Sequence, residues 1–469
     1  MRRDSPGLEL RYFEDSALKF AGERQHVSQR IGLARFGPRS LDSHRHPDSV
    51  RIGLVGTGAS MDSARQWLVN AAAGVPGNEE NDPFPGSDED RGFFTKLWFD
   101  EQWNETITTR ELEALRGLRL RKDRFAQGVT LVSEKLRLLA ERDQPPTLVV
   151  LALPDQLLRH CKVADYFVAG GIPIHKDFRR CIKAEAMLYR LPTQILLQRV
   201  TEAKPGAVNV DDKSRVAWNL FTALYFKAGG IPWAPTGLRP GTCYVGISFY
   251  HPTDNPSRVH TSVAQAFDEH GDGIVLRGQD FVWNAEEFGK SPHLDEEAAE
   301  EVLRLVLRRY REELKQLPTH VVVHKTSSFW DAERAGFCTA LKNVNQFDLV
   351  TLRPNSELRL LRSGRYPPLR GTQFTVGNCH GLYTTGFIPA LNAYPHGHVP
   401  SPLVIAEHFG DSSLDEICRD VLVLSRMNWN SAAFTGLMPI TLRFARLVGD
   451  IMREIPRDRE PLPQYKYYI

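Results

Sequence analysis

The sequence has little of what would mark a metal-binding, membrane-spanning or secreted protein. Its six cysteines are scattered, and no CxxC pair or Cys/His ligand spacing occurs, which argues against a structural zinc site. No run of about 18 apolar residues is present, so no transmembrane helix is expected. The amino-terminal residues are not followed by an apolar segment, so no signal peptide is expected either. Free thiols suit a reducing compartment, and we therefore predict a cytoplasmic protein.

The chain also lacks the overall positive charge that many nucleic-acid-binding proteins carry. Its formal net charge is +2, from 59 Lys and Arg residues against 57 Asp and Glu residues. A nucleic-acid partner would need a local basic groove, because binding follows the distribution of charge more than its sum. The hydrophobic share of 42% and the charged share of 25% are ordinary for a globular protein. The 469 residues are enough for roughly two to four domains.

A glycine-rich turn near residue 56 lacks a complete nucleotide-binding motif. Residues 51–58 read as a buried strand that runs into the glycines, and a helix begins near Ser60. The turn has neither the GxGxxG spacing nor a Walker lysine, so a nucleotide enzyme built on residues 53–58 has little support. A tight turn between a strand and a helix of a doubly wound sheet is the favoured interpretation.

Strands and helices alternate along the chain. In the first half, residues 123–142 have the pattern of an amphipathic helix and residues 147–153 that of a buried strand, which predicts a Rossmann-like α/β domain. The second half shows three strands, a helix and two more strands, at residues 241–250, 273–277, 280–283, 295–316, 319–326 and 347–352. This order fits an RNase H-like layer.

Residues 219–233 predict the end of a helix followed by a turn. Lys227 falls in the last helical turn, where the helix dipole favours a cation. Gly229 and Gly230 end the helix, and Pro232 prevents its continuation. On local chemistry alone, this stretch is a capped helix with a surface lysine.

A histidine, two cations and an amide precede this stretch. His175 and Arg179 are predicted to share a helix face at i, i+4 spacing, and Lys183 extends that face by another turn. Gln194 begins the next strand. Together with Lys227, these groups could hold a doubly charged anion through charge-assisted hydrogen bonds, with the amide fixing its orientation. The alternative is a solvated basic helix face.

Several stretches, in this order and spacing, resemble the short prokaryotic Argonautes, which consist of MID and PIWI domains and lack N and PAZ domains. Residues 219–233 resemble the MID–PIWI junction, residues 244–248 the first PIWI strand, and residues 324–330 the second catalytic strand. Residues 369–372 and 427–446 resemble later PIWI elements. The resemblance covers nearly the whole chain. It implies an amino-terminal segment at 1–48, a MID domain at 49–232 and a PIWI domain at 233–469.

The resemblance implies that the anion is the 5′-phosphate of a guide nucleic acid. His175 would stack on the first guide base, and the phosphate contacts would come from Arg179, Lys183, Gln194 and Lys227. Arg179 stands where the family usually has lysine, so Lys183 is an alternative contact.

The resemblance also implies a metal ion at this pocket. In some relatives a divalent cation bridges the guide phosphate and the carboxyl-terminal carboxylate. Here Gln194 and Ile469 would be the corresponding ligands of a Mg²⁺ ion, which prefers oxygen ligands.

The catalytic positions of cleaving relatives do not carry over. Active PIWI domains use carboxylates to hold two metal ions, whereas the matching positions here are Ser248, Thr326 and Arg446. Nearby acidic residues are Asp280, Glu286 and Glu287, which lack carboxylate partners at those positions. No guide-directed cleavage is expected, so the chain is predicted not to be an enzyme.

Two functions follow from the resemblance. The first is a sensor that loads a 5′-phosphorylated RNA guide, recognises complementary single-stranded DNA and activates an APAZ-containing effector in defence against phages and plasmids. That effector would be a sirtuin-like or TIR NAD-hydrolysing enzyme, or otherwise a nuclease. A basic channel for the nucleic acids is predicted at Arg353, Arg359, Arg362, Arg365 and Arg370. The alternative is an active metal-dependent guided nuclease with a rearranged site.

Overall fold

The structure is a computed structural model that describes most of the chain. The described residues are 7–79, 81–168, 172–203, 211–253, 259–267, 273–281, 283, 289, 291–354, 357–394, 398–434, 436–456 and 458–469. Across these residues, no helix combines the length and the apolar character needed to cross a bilayer.

Residues 7–48 contribute strands to two sheets. Their elements are β1 (Leu8–Tyr12), β2 (Leu18–Lys19), β3 (Gln25–His26) and α1 (Gln29–Phe36). Strand β1 pairs antiparallel with a strand of the carboxyl-terminal half, and β2 pairs with β3 and with β12 (Ala234–Pro235). This segment is therefore built into the body of the protein.

The next part of the chain is centred on a parallel four-stranded sheet. The strands in this part of the chain are β4 (Ser49–Gly56), β5 (Ser87–Asp88), β6 (Arg91–Gly92), β7 (Lys96–Thr106), β8 (Leu148–Ala152), β9 (Val163–Val168), β10 (Ile172–Asp177) and β11 (Thr193–Ile195). The sheet order is β11-β8-β4-β7, while β9 and β10 form a separate antiparallel pair. All five side chains of β8 are buried, as expected for a central parallel strand covered on both faces.

Helices cover both faces of this sheet, which confirms the predicted doubly wound arrangement. They are α2 (Gly58–Ala72), α3 (Thr109–Gly117), α4 (Arg121–Ala140), α5 (Asp155–Cys161), α6 (Phe178–Leu188), α7 (Gln198–Thr201) and α8 (Lys213–Lys227). The glycine-rich turn after β4 is a packing feature, because a Cβ at Gly56 would lie 2.3 Å from the Ala152 carbonyl oxygen. Thr57 and Ser60 form a capping box at the start of α2.

The carboxyl-terminal half is organised around a ten-stranded mixed sheet. Its further strands are β13 (Thr242–Tyr250), β14 (Val259–Phe267), β15 (Gly273–Ile274), β16 (Arg277–Phe281), β17 (His320–Lys325), β18 (Gln346–Pro354), β19 (Thr372–Val376), β20 (Cys379–Leu382) and β21 (Leu403–Gly410). The order is β1-β19-β20-β21-β18-β17-β13-β14-β15, with β16 beside β14. Central strands β13, β17 and β18 are parallel, and their neighbours β14 and β21 run antiparallel.

Helices α9 (Glu296–Leu314), α10 (Asp331–Ala340), α11 (Leu414–Leu424) and α12 (Ile440–Met452) pack with this sheet. Helix α12 crosses it closely, because a Cβ at Gly246 of β13 would lie 2.3 Å from the Thr441 carbonyl oxygen. Glycine at position 246 therefore permits this approach.

The two halves share a continuous buried core around the end of α8. The ring of Phe226 stacks on that of Trp429, with the centroids 5.0 Å apart. Trp429 Nε1 donates to the Trp233 carbonyl oxygen at 3.1 Å. On the neighbouring helix α6, Arg180 forms an ion pair of 2.9 Å with Asp450 of α12. These contacts bring the last residues of the sequence beside α6.

Candidate nucleic-acid interface

Helix α8 ends as the sequence predicts, but its last lysine is not on the surface. Ala228 caps the helix, and Gly229 adopts a φ of 107°, which suits a glycine. Lys227 is only 1% exposed. Its ammonium group donates a hydrogen bond to Gln194 Oε1. Lys227 is therefore not the surface lysine that local chemistry alone predicts.

A second buried lysine lies beside the first, on helix α6. The Asp177 side chain caps this helix by accepting from the Arg180 amide at 3.1 Å. Two turns on, Lys183 is 5% exposed. Its Nζ donates to the Thr193 carbonyl oxygen at 3.3 Å and to the main-chain oxygen of Ile469. Helix α6, strand β11 and the last residue of the sequence thus converge on one point.

Burial makes positive charge unfavourable at both lysines. Desolvation, and secondarily the charge of Arg179, lowers the pKa of Lys227 from 10.5 to about 7. Desolvation, followed by the charges of Lys227 and Arg179, lowers the pKa of Lys183 well below its usual value. An anion placed beside these three groups would favour the protonated forms of the two lysines and would accept hydrogen bonds from all three side chains.

The site opens into a cavity of about 870 Å³. Arg179, Lys183 and Gln194 line it, together with apolar side chains that include Leu158, Ile195 and Leu220. Lys227 lies behind Gln194, which its ammonium group contacts. A cationic end and an apolar wall fit a ligand that carries both a phosphate group and a nucleobase.

His175 does not take part in this cavity, contrary to the sequence prediction. Strand β10 continues to Asp177 and α6 begins at Phe178, so His175 and Arg179 do not share a helix face. The His175 side chain is 53% exposed, and its Nδ1 lies 2.6 Å from Asp165 Oδ1 on β9. The cavity-facing pair on one helix face is instead Arg179 and Lys183.

The residues present do not by themselves fit a Mg²⁺ ion. The two predicted oxygen ligands, Gln194 Oε1 and the Ile469 main-chain oxygen, each accept a hydrogen bond from a lysine ammonium group. In the part of the chain that the structure describes, no group of three His, Cys, Asp or Glu side chains could hold a metal ion. Hydrogen bonds from the lysines thus occupy the two oxygen atoms at which the metal was expected.

Ser248 lies on β13, two residues before its end at Tyr250, and Thr326 directly follows the last residue of β17. The two strands are parallel neighbours, and the last of their paired residues are Gly246 and His324. Arg446 is exposed on α12. Asp280 lies on β16, but its side chain falls outside the described part of the structure, as do the residues Glu286 and Glu287.

Four of the five predicted channel arginines are exposed on the surface. Arg353 is adjacent to Thr326, because its Nε donates to the Thr326 carbonyl oxygen at 3.0 Å. Arg359 contacts Ser401 Oγ at 3.3 Å. Arg362 and Arg365 lie over the rings of Phe387 and Tyr366, which stack on each other with centroids 4.5 Å apart.

Arg370 is a structural residue and cannot line a channel. It is 1% exposed, and its Nε donates to Asp15 Oδ1 at 2.7 Å. Its other nitrogens donate to Ser425 Oγ at 3.0 Å and to the Leu422 carbonyl oxygen at 2.9 Å. The prediction failed because a guanidinium group in an arginine-rich loop has no local signal for burial.

Sequence reasoning also missed three cations that line the cavity, namely Arg159, Lys162 and Arg199. The first two lie on or next to α5, which follows β8, and the third lies on α7, which follows β11. Ligands of parallel α/β sheets bind outside the carboxyl ends of the strands. Charges in the segments that follow these two strands were therefore a signal that could have been used.

Comparison with known proteins gives matches in structure alone. No protein-family model matches the chain, and no curated protein is similar to it in sequence. The structure of Clostridium butyricum Argonaute bound to a guide DNA and a 19-mer target DNA matches with a TM-score of 0.68 and 14% identity, over 99% of this chain and 55% of that one. A. aeolicus Argonaute matches with a TM-score of 0.57 and 15% identity, over 98% and 55%.

Drosophila Piwi gives a TM-score of 0.58 with 12% identity, over 98% of this chain and 56% of that one. The chain thus spans about half the length of the solved structures it matches. The chain has the mixed α/β fold of the MID and PIWI domains of Argonaute proteins.

Proposed function

We propose that this chain is a guide-dependent nucleic-acid sensor that does not cleave its target. A 5′-phosphorylated RNA guide binds with its terminal phosphate at Arg179, Lys183, Gln194 and Lys227. The observation that carries the proposal is the pair of buried lysines at the cavity, of which Lys227 donates to the neutral amide oxygen of Gln194 and Lys183 to the main-chain oxygens of Thr193 and Ile469. Such charges are costly to bury unless an anion compensates them.

A matched structure supports the choice of ligand. The protein in that structure is Clostridium butyricum Argonaute, which is bound to a guide DNA and a target DNA. In this chain the target would be single-stranded DNA, paired with the guide and contacted along its backbone by Arg353, Arg359, Arg362 and Arg365. Base pairing would then read the sequence, and the protein would contact mainly phosphates.

The absence of cleavage is proposed from the residues at three positions, on β13, directly after β17 and on α12. Serine, threonine and arginine at positions 248, 326 and 446 cannot supply the carboxylates of a two-metal site. Target recognition would instead act through a partner, an APAZ-containing effector with a sirtuin-like or TIR enzyme. Depletion of NAD by that effector in the cytoplasm would stop the spread of phages or plasmids.

Guide binding is tested with a 5′-phosphorylated RNA and the same RNA with a 5′-hydroxyl. We expect the chain to prefer the phosphorylated strand by at least about tenfold, since charge-assisted hydrogen bonds to a dianion are lost without it. Replacing Lys183 and Lys227 by alanine should abolish the preference. His175→Ala is the matched control and should retain it. Equal affinity of the wild-type protein for the two strands would overturn the assignment of the pocket.

The alternative nuclease is tested in the same preparation. Guide-loaded protein is incubated with labelled complementary DNA in Mg²⁺ or Mn²⁺, and both binding and cleavage are measured. We expect retention of intact target. A cleavage product whose position moves with the guide sequence would favour the rearranged nuclease instead. Sequencing the nucleic acid that copurifies with the chain, and identifying copurifying protein, would define the guide and the partner.

A further inference from the structure

We propose that residues 116–124, here called the α3–α4 segment, bind the part of the target strand that extends beyond the 5′ end of the guide. The segment spans the end of α3 and the start of α4. Its cations are Arg116, Arg119, Arg121, Lys122 and Arg124. The inference rests on the proposed function, because it takes the buried lysines as the site of the guide 5′-phosphate. It adds a contact that depends on the length of the target and not on its sequence.

Positive charge is concentrated in the α3–α4 segment and is not neutralised locally. Five of its nine residues are cations, and one, Asp123, is acidic. All five cations are exposed except Arg124, which is half-buried and whose Nε has no hydrogen-bond partner. Among the described residues, none of the five forms an ion pair or a side-chain hydrogen bond. They are therefore available to a polyanion without first breaking an ion pair.

The segment lies at the edge of the four-stranded sheet where the cavity opens. Helices α4 and α6 lead back to the amino-terminal ends of β8 and β11, so both helices begin at the carboxyl edge of this parallel sheet. Their first turns are in contact, since the rings of Phe125 and Phe178 pack edge to face with centroids 6.1 Å apart. Phe178 and Arg179 line the cavity. The start of α4 is therefore next to the cavity wall.

Helix α5 also connects the segment with the cavity. The Cys161 thiol donates to the Arg124 carbonyl oxygen at 3.3 Å. Desolvation and three nearby guanidinium groups lower the pKa of His160 on α5 below its usual value. These groups belong, in order of effect, to Arg124, Arg116 and Arg159. The positive field of the segment thus extends to α5, which carries side chains of the cavity wall.

Antiparallel pairing determines which part of the target reaches this edge. With the guide 5′-phosphate in the cavity, the nucleotides paired with the start of the guide are followed by the 3′ flank of the target. The flank is unpaired because the guide ends there, so it leaves the duplex beside the cavity. The 5′ flank leaves from the other end of the duplex. Arginine suits the 3′ flank, since guanidinium groups bind phosphate oxygens through paired hydrogen bonds.

This contact adds affinity without adding sequence specificity. Each phosphate that a cation neutralises releases counterions and adds about 0.7 to the magnitude of the slope of log affinity against log salt concentration for a single strand. A complementary region inside a long strand is consequently bound more tightly than the same region as a short fragment.

The test uses protein loaded with a 5′-phosphorylated RNA guide and three DNA targets with the same complementary region. One target ends with this region, one adds ten thymidines at its 3′ end, and one adds ten thymidines at its 5′ end. Affinity is measured at several salt concentrations. We expect the 3′ flank to raise the affinity of the wild-type protein roughly fivefold or more at low salt and to steepen the salt slope by about 2.

The test variant carries Arg116→Gln, Arg119→Gln and Lys122→Gln. It should lose the gain from the 3′ flank and bind the target without flanks within about twofold of wild type. The effect of the 5′ flank should be the same in the variant and in wild type. Because the three positions are exposed, the unfolding midpoint should not change.

The matched control carries Arg308→Gln, Arg311→Gln and Lys342→Gln, which change the net charge by the same amount. These residues are exposed in the last turns of α9 and between α10 and β18, near the amino-terminal ends of β17 and β18. The control should keep the full gain from the 3′ flank, which separates local contact from the loss of net charge.

Three results would overturn the assignment of the α3–α4 segment. They are an absence of gain from the 3′ flank in wild type, a gain that the test variant retains, and an equal loss for the two flanks. If the flank had no effect and the variant lost a copurifying protein, the segment would belong to an acidic partner surface instead. Equal binding of complementary and non-complementary targets would contradict the proposed function. That failure is distinct, because the flank comparison uses targets with one complementary region.

Discussion

Lys183 and Ile469 are 286 positions apart in the sequence, and the Lys183 ammonium group donates a hydrogen bond to the Ile469 main-chain oxygen. The hydrogen bond joins helix α6 of the first half to the last residue of the second. The anion site is therefore complete only when the two halves are packed together. Several measurable consequences follow from the chemistry of this junction.

The first prediction concerns the cost of burying Lys227. Lys227→Met keeps a side chain of similar length but removes the charge. Because burial lowers the pKa of this lysine to about 7, the substitution should raise the free energy of unfolding at pH 6 by on the order of 2 kcal/mol. It should also abolish the preference for a 5′-phosphate. Urea denaturation and strand binding measure the two effects.

Lys342→Met is the control for Lys227→Met, since Lys342 is exposed. Lys342→Met should change neither the free energy of unfolding nor the preference for a 5′-phosphate by much. A large loss of stability in Lys227→Met would show that the lysine is required for packing, and would count against a residue kept for binding at the expense of stability.

The second prediction is the pH dependence of strand binding. Lys227 of the free protein loses its proton near pH 7, whereas a bound phosphate dianion favours the ammonium form. Binding then takes up a proton, so affinity for a 5′-phosphorylated strand should fall as the pH rises from 7 to 9, by up to about tenfold per pH unit. Affinity for the 5′-hydroxyl strand should change less.

The free energy of unfolding of the empty protein should rise between pH 7 and 9, the range over which the affinity falls. The unfolded chain keeps the Lys227 proton up to pH 10.5, while the folded chain releases it near pH 7. Above pH 7 the unfolded state binds more protons, so the free energy of unfolding of the empty protein should rise from this group. An affinity independent of pH between 7 and 9 would contradict the role given to Lys227.

The third prediction is the effect of removing divalent cations. The two oxygen atoms expected to ligate Mg²⁺ already accept hydrogen bonds from Lys183 and Lys227. Chelation with EDTA should therefore change the affinity for a 5′-phosphorylated strand by less than about threefold, as the ammonium groups already supply positive charge. A larger loss, restored by added Mg²⁺ and absent for the 5′-hydroxyl strand, would reinstate the metal.

The fourth prediction compares how much stability is lost when a buried arginine and an exposed arginine are each replaced by alanine. Arg370→Ala removes the partner of Asp15, whose side chain is 9% exposed. It should destabilise the protein by about 3–5 kcal/mol, since an uncompensated carboxylate stays buried. Arg359→Ala, at an exposed position, should change stability by less than about 0.5 kcal/mol.

A combined variant at Arg359, Arg362 and Arg365 extends this comparison to binding. Its salt slope for target DNA should be smaller by about 2, without a change in the unfolding midpoint. An unchanged slope would remove these arginines from the proposed channel.

Much of the fold could be predicted from periodicity and turn residues. The strand predicted at 147–153 is β8 (Leu148–Ala152), and the helix predicted at 295–316 is α9 (Glu296–Leu314). Strand β17 (His320–Lys325) also lies within its predicted range. These elements are long or strongly apolar, and local pattern is sufficient for such segments.

Predictions that needed tertiary contacts were less successful. His175 was assigned to a helix because the charged residues after it repeat at helical spacing, but pairing with Asp165 on β9 places it in a strand. The glycine pair at 170–171, between two apolar runs, was a hairpin signal that could have been used. The burial of Arg370 depends on Asp15, far away in the sequence, and no local pattern encodes such a contact.

The integration of β1 and Asp15 into the carboxyl-terminal half has a consequence for biosynthesis. Asp15 emerges from the ribosome before its partner Arg370, which follows 355 positions later. At usual rates of translation this is a wait of roughly 20 to 70 s. Strand β1 exposes Leu8, Leu10 and Tyr12 even when paired with β19. On the nascent chain it would be an unpaired apolar segment, and shielding it by a chaperone would favour correct folding.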